Sequence, residues 1–214
     1  MLKGVLIDWA GVLTTGMTEA VAEWIAADRI DAVHYRGVMR GLIEHAYEGG
    51  VDGENVIHAL ERGEISGLEF ERHLAARLIT ADGVPPVAEG LLNRMFAGFR
   101  RAESMYGMLR EARAAGLRTC LLSNSWANEY PREDWAEFFD AIVISGEVGM
   151  RKPESRIFEH ALGRVGLAGA ECVFVDDIEA NVAAARALGI VGVHHRDPEE
   201  TITELERLFG VPLR

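Results

Sequence analysis

Four short stretches of this 214-residue chain hold side chains able to do chemistry together: Asp8, the run Ser123-Asn124-Ser125, the pair Arg151-Lys152, and the pair Asp176-Asp177. Carboxylates serve as nucleophiles and as ligands for hard cations, whereas a hydroxyl and an ammonium bind and neutralise anions. Singly, each has an ordinary structural explanation. Asp8 can cap a turn, Ser123 can be a helix N-cap, Lys152 can be a solvated surface charge, and Asp176-Asp177 can open the next helix. Their common position argues otherwise: a carboxylate, a hydroxyl, an ammonium and a carboxylate pair fall just beyond the apolar runs of one chain, in sequence.

Those runs are Gly4-Val5-Leu6-Ile7, Arg118-Thr119-Cys120-Leu121-Leu122, Ala141-Ile142-Val143-Ile144 and Cys172-Val173-Phe174-Val175, short and β-branched as buried parallel strands are. Amphipathic segments of helical length separate the later ones, Glu103 to Ala115, Pro153 to Val165 and Glu179 to Leu188, and a fifth strand is expected from Ile190 to Val193. Gly116, Gly166 and Gly189 stand where left-handed C-caps belong, and Pro153 suits a first helical position. The alternation predicts an α/β fold with a doubly wound, parallel, Rossmann-like sheet, whose ligands bind at the carboxyl ends of the strands. Residues 16–101 break the rhythm. They have helical patterning, polar breaks at Gly49-Gly50 and Gly63, and a loop at Asp82-Gly83-Val84-Pro85-Pro86. The expected organisation is a core of residues 1–15 and 102–214 with a helical cap, 16–101, inserted after the first strand.

A net charge of −12 with no offsetting Lys/Arg cluster opposes a nucleic-acid partner or an anionic membrane surface, and leaves small anions as partners only where a metal supplies positive charge. No apolar stretch reaches the roughly 18 residues of a membrane span, and Met1 leads directly into a strand pattern, so a cytoplasmic location is expected. Cys120 and Cys172 sit inside apolar runs and are expected as buried thiols in neighbouring strands, with no disulfide and no metal.

The segments Leu6-Ile7-Asp8-Trp9-Ala10-Gly11-Val12-Leu13-Thr14, Leu121-Leu122-Ser123-Asn124-Ser125, Arg151-Lys152-Pro153-Glu154 and Phe174-Val175-Asp176-Asp177-Ile178-Glu179-Ala180-Asn181 resemble, in order, motifs one to four of the haloacid dehalogenase superfamily. The fourth motif and the phrase Leu60-Glu61-Arg62-Gly63-Glu64-Ile65-Ser66 are most similar to the phosphatase domain of soluble epoxide hydrolases. The resemblance implies a Mg2+-dependent hydrolase of small-molecule phosphate esters. Asp8 would be the nucleophile and form a phospho-aspartate. Magnesium would be held by Asp8, by the Ala10 backbone carbonyl and by Asp177. Ser123 and the Asn124 amide would bind the phosphoryl oxygens, and Lys152 would neutralise charge in the transition state. Asp176 and Asn181 would support these groups from behind. Lys152 and Lys3 are the chain's only lysines, which makes an incidental Lys-Pro at the third motif less probable.

One position departs from the family pattern. Two residues after the nucleophile most of its phosphatases carry a second aspartate, which protonates the leaving alcohol and then activates water; here it is Ala10. General acid–base groups contribute on the order of 10²–10⁴ in rate, so the expected substrate has a leaving group that departs with little protonation. A weakly catalytic phosphate-binding or regulatory module is the alternative that Ala10 favours, and a haloacid dehalogenase, which needs no acid, is a minor one. Asp8-Trp9-Ala10-Gly11 also resembles the opening of phosphonoacetaldehyde hydrolases, whose cap lysine has no counterpart between residues 16 and 101. In the cap, His34, Tyr35, Arg36, Arg40, Glu44 and His45 cluster within one helical stretch, more as the surface of a packed helix than as substrate contacts. Trp9, Trp126, Thr14 and Thr15 flank the motifs and could line a pocket or simply pack and turn the chain, and the adjacent His194-His195 cannot face one way on an extended chain.

Overall fold

The computed structural model describes residues 1–47 and 55–214; Gly49-Gly50 lie outside that range, as do the side chains of Glu44 and His45. Five parallel strands, β1 (Gly4–Ile7), β2 (Arg118–Ser123), β3 (Ala141–Ile144), β4 (Cys172–Asp176) and β5 (Val191–His194), form one sheet in the order β3-β2-β1-β4-β5. Successive side chains alternate between its faces. Val5, Ile7, Leu121, Val173 and Val175 point to one side, where α6 (Glu103–Ala114) and α10 (Pro198–Phe209) cover them. Leu6, Cys120, Leu122 and Phe174 point to the other, against α8 (Ser155–Val165) and α9 (Glu179–Ala187), while the single turn α7 (Ser145–Val148) follows β3. The sheet is thus an α/β layer buried on both faces, which is why its strands are apolar throughout rather than alternating.

Between β1 and β2 the chain runs through α1 (Met17–Ala27), α2 (Ala32–Tyr47), α3 (Val56–Glu61), α4 (Gly67–Ala75) and α5 (Leu91–Phe96). These helices bury a core of their own, including Trp24, Leu60, Phe70, Leu74 and Leu91. Asn55 caps α3 by accepting from the amides of Ile57 and His58, and Ser66 with Glu69 forms a capping box on α4. The two crossings into this segment pair with each other: Thr14 bridges Arg101, the Thr15 amide donates to the Arg100 carbonyl (2.8 Å), and the Arg100 amide donates to Thr15 Oγ1 (3.1 Å). Both threonines are therefore occupied in joining the chain segments.

Three local expectations shift. Helix α8 begins at Ser155 with Glu154 as N-cap, so Pro153 stands in the preceding turn, where the Asn124 side chain holds the Lys152 backbone. Strand β5 is displaced one residue, to Val191–His194. The free, buried thiols Cys120 and Cys172 lie in β2 and β4, which flank β1 rather than adjoin each other; burial pushes them up to about 12 and about 11, where they stay protonated. The glycines at 116, 166 and 189 all take the left-handed conformation expected of C-caps. Among the described residues no helix is long and apolar enough to cross a membrane.

Candidate active site

The sheet order reverses between β1 and β4, and the groups singled out in the sequence meet at the carboxyl ends of the strands there. Asp8 follows β1 directly and continues its ladder, its amide donating to the Val175 carbonyl (2.9 Å). Its Oδ1 accepts from the Trp9 amide (2.7 Å) and lies 2.9 Å from Lys152 Nζ. The Lys152 ammonium, 1% exposed, also donates to Asp176 Oδ2 (2.6 Å). Asp176 is fully buried and further accepts from Asn181 Nδ2 (3.1 and 3.2 Å) and the Ile178 amide (2.8 Å), so its lone pairs are largely used. Asp177, more open, completes a set in which one carboxylate oxygen from each residue lies within 4.8 Å of the other two.

Three carboxylates against one buried ammonium leave this corner with excess negative charge. Burial first, and then Asp176 and Asp177, push Asp8 up to about 8 despite the opposing pull of Lys152. Burial and Asp176 likewise raise Asp177 to about 6. Burial opposes the charge of Lys152, but Asp176 and Asp8 outweigh it and hold the ammonium above its ordinary range. A divalent cation is the group that such a donor set fits: it would offset the surplus charge with hard oxygen ligands. The turn after Asp8 suits the same purpose. Among the described residues no amide donates to the Ala10 carbonyl. Gly11, at φ +78°, approaches the Asp177 carboxylate so closely that a Cβ there would overlap it.

Ser123 ends β2 and shares a hydrogen bond with the Tyr130 hydroxyl (3.0 Å). The Asn124 side chain accepts from the Lys152 amide (2.9 Å) and donates to its carbonyl (3.0 Å), leaving the Asn124 amide unpaired among the described residues. Asp8, Ser123, Asn124, Lys152, Asp176, Asp177 and Asn181 are thus contiguous. The described members of the α2 group are not part of this cluster: His34 bonds the Arg77 carbonyl (2.7 Å), Tyr35 packs on Trp24 with ring centroids 5.7 Å apart, and Arg36 and Arg40 are exposed. Trp9 packs edge-on against Phe99 and Tyr130, and Trp126 against Phe70 and Phe96. His194 and His195 face apart: His194 Nε2 lies 3.0 Å from the Asp177 carbonyl, and His195 Nδ1 lies 2.8 Å from Thr201 Oγ1.

Several neighbours were not found from sequence. Tyr130 lies against Ser123 and within electrostatic reach of Asp8; burial raises it to about 12 and so keeps its hydroxyl a donor. It sits in irregular chain seven residues beyond Ser123, where no periodic signal marks it. Glu61 and Arg151 form a buried ion pair across 90 residues of sequence.

Residues 2–189 match the family model of haloacid dehalogenase-like hydrolases, and the chain belongs to that family of enzymes. It is 34% identical over 156 residues to the sesquiterpene phosphatase astK of Aspergillus oryzae, across 70% of this chain and 77% of that protein. It is 30% identical over 131 residues to the bifunctional epoxide hydrolase 2 of Rattus norvegicus, across 56% of this chain but only 24% of that larger protein. A haloacid dehalogenase family enzyme of Bacteroides thetaiotaomicron, solved with magnesium and inorganic phosphate, shares the fold at a TM-score of 0.65 and 21% identity over 92% of this chain and 95% of that one.

Proposed function

We propose that the protein is a magnesium-dependent phosphatase of small phosphate esters that acts through a phospho-aspartate on Asp8. The observation that carries this reading is the charge balance of the corner itself: three clustered carboxylates, two of them buried, answered by a single buried lysine beside a serine hydroxyl. The phosphatase relative and the fold neighbour holding magnesium and phosphate support it. The proposed organisation keeps residues 1–15 and 102–214 as the core and 16–101 as the cap.

In this account Asp8 Oδ attacks phosphorus as the ester P–O bond breaks and the alkoxide leaves; water then attacks the phosphorus of the acyl phosphate, releasing phosphate and restoring Asp8. Asp8, the Ala10 carbonyl and Asp177 would hold magnesium, which offsets the repulsion between the carboxylate and an anionic ester. Ser123 and the Asn124 amide donate to phosphoryl oxygens. Lys152 stabilises their growing charge. Asp176 fixes the Lys152 ammonium, Asn181 fixes Asp176, and the Asn124 side chain fixes the Lys152 backbone. With Tyr130 as donor in its hydrogen bond to Ser123 Oγ, the serine proton would be free to turn toward substrate.

With Ala10 unable to protonate an alkoxide, substrates with stable leaving groups are favoured, such as anomeric sugar phosphates or acyl phosphates. A panel of phosphate esters assayed with magnesium is expected to show kcat/KM falling steeply as leaving-group pKa rises; equal rates across the panel would refute this. Ala10 also supports a second reading, a phosphate-binding module with little turnover, which inactivity over the whole panel would favour.

The metal proposal carries a pH signature. Asp8 and Asp177 have raised values, so the folded state holds more protons than the unfolded one and the metal-free protein loses stability as pH climbs from about 4 through about 8. Magnesium displaces those protons and should recover the loss. The rise in Tm on adding magnesium is expected to be larger at pH about 8 than at pH about 5.5; an equal rise at both would contradict the assignment of these ligands.

A further inference from the structure

The loops beyond β2 and β3 both meet the inserted helices at Glu61. This residue ends α3 and is 1% exposed. One carboxylate oxygen pairs with Nε of Arg151, itself 4% exposed and immediately before Lys152. The other accepts from the indole of Trp126 (3.2 Å), three residues beyond Ser123. The Glu61 carbonyl accepts from Ser145 Oγ (2.5 Å), and the same hydroxyl accepts from the Ser125 amide (2.8 Å). The next two residues complete the seat. Arg62 pairs with Glu154 (2.6 Å), and Gly63, at φ +70°, lies so near Gly146 that a Cβ would stand 2.6 Å from its carbonyl oxygen.

We infer that Glu61 is a positioning residue: seated between the Ser123–Trp126 loop and the Arg151–Lys152 loop, it holds the two at the spacing that lets Ser123 and Lys152 act on one phosphoryl group. The corner joins the chain crossings at Thr14 and Arg101 and the packing of Trp126 on Phe70 and Phe96 in attaching the helical insertion. One side chain thus couples the placement of the insertion to the placement of Lys152. Removing Glu61 alone takes its carboxylate from a buried guanidinium beside Lys152, which disturbs the fold as well as the geometry. Removing both charges isolates the geometric effect.

The inference rests on the phosphatase reading for the role of Ser123 and Lys152 and for its kinetic readout; the holding of the two loops does not depend on it. Glu61→Gln and the pair Glu61→Leu/Arg151→Met are to be compared with the unaltered protein in three measurements: kcat and KM for p-nitrophenyl phosphate with magnesium, Tm, and amide hydrogen exchange over residues 123–126 and 150–153. Glu61→Gln is expected to lower kcat by at least about tenfold with KM changed much less, the pattern of a lost transition-state alignment. The double variant is expected to regain most of the Tm, because the buried guanidinium is removed together with its carboxylate, while kcat stays low and exchange in both loops stays fast. Recovery of kcat together with Tm would overturn the inference, leaving a purely structural pair. Should Glu61→Gln fail to fold, the double variant decides. If the unaltered protein turns over no ester, the phosphatase reading fails, yet exchange still decides: faster exchange in both loops supports the positioning role and unchanged exchange overturns it.

Discussion

Replacing Asp8 with asparagine is expected to reduce magnesium-dependent hydrolysis of p-nitrophenyl phosphate by at least about 10³-fold, to the limit of detection. The amide matches the carboxylate in size and can still accept from the Trp9 amide, but it is a poor nucleophile and carries no charge for a metal. The folded state should tolerate it. Burial and the neighbouring Asp176 and Asp177 already press Asp8 toward its neutral form, so a permanently neutral residue relieves repulsion. In metal-free protein at pH about 8 the variant is therefore expected to melt higher than the unaltered chain, a trade of stability for function seen where sites gather like charges. Steady-state rates and thermal melts check both halves. Residual activity within tenfold of the original would remove Asp8 from the nucleophile's place.

The second large effect runs the other way. Ala10→Asp restores a carboxyl group two residues after the nucleophile, where it can protonate a departing alkoxide and then deprotonate water. For esters of poor leaving groups kcat is expected to rise by on the order of 10²–10⁴. For aryl phosphates, which leave unaided, little gain is expected, so the dependence of rate on leaving-group pKa should flatten. A fourth carboxyl group beside Asp8, Asp176 and Asp177 adds repulsion, and a lower metal-free Tm is the expected cost. The comparison is made on the same ester panel with the two proteins side by side. An equal gain for aryl and alkyl esters would show that the new group acts by some route other than proton transfer.

Much of this is legible in the amino-acid sequence itself. The strands ending at Ile7, Ser123, Ile144 and Asp176 are apolar because helices cover both faces of the sheet, and that local pattern placed Asp8, Ser123 and Asp176-Asp177 at strand ends without knowledge of strand order. Side chains acting within a few residues of their own strand were legible for the same reason. The start of α8 was not. Pro153 is acceptable in a first helical turn, but Asn124, 28 residues earlier, holds the Lys152 backbone in a turn and defers the helix to Ser155. Tyr130 escaped notice because irregular chain has no period, and its meaning lies in the contact with Ser123. Glu61 and Arg151 were each visible as members of motif-like phrases, yet their pairing is a property of how the inserted helices seat on the sheet. Conversely, the polar cluster on α2 drew attention by composition, and its described side chains serve that helix's own packing and surface.

The destination of oxygen from water tests the central claim most directly. A single turnover in 18O-labelled water, with the enzyme in excess over a reactive phosphate ester, is followed by mass spectrometry of both the released phosphate and the peptide containing Asp8. If Asp8 forms a phospho-aspartate and water attacks phosphorus, the label appears in phosphate and the peptide keeps its original mass. Label in the Asp8 carboxylate would mean that water attacks carbon, as it would in an ester of the dehalogenase type, and would contradict the phosphatase account.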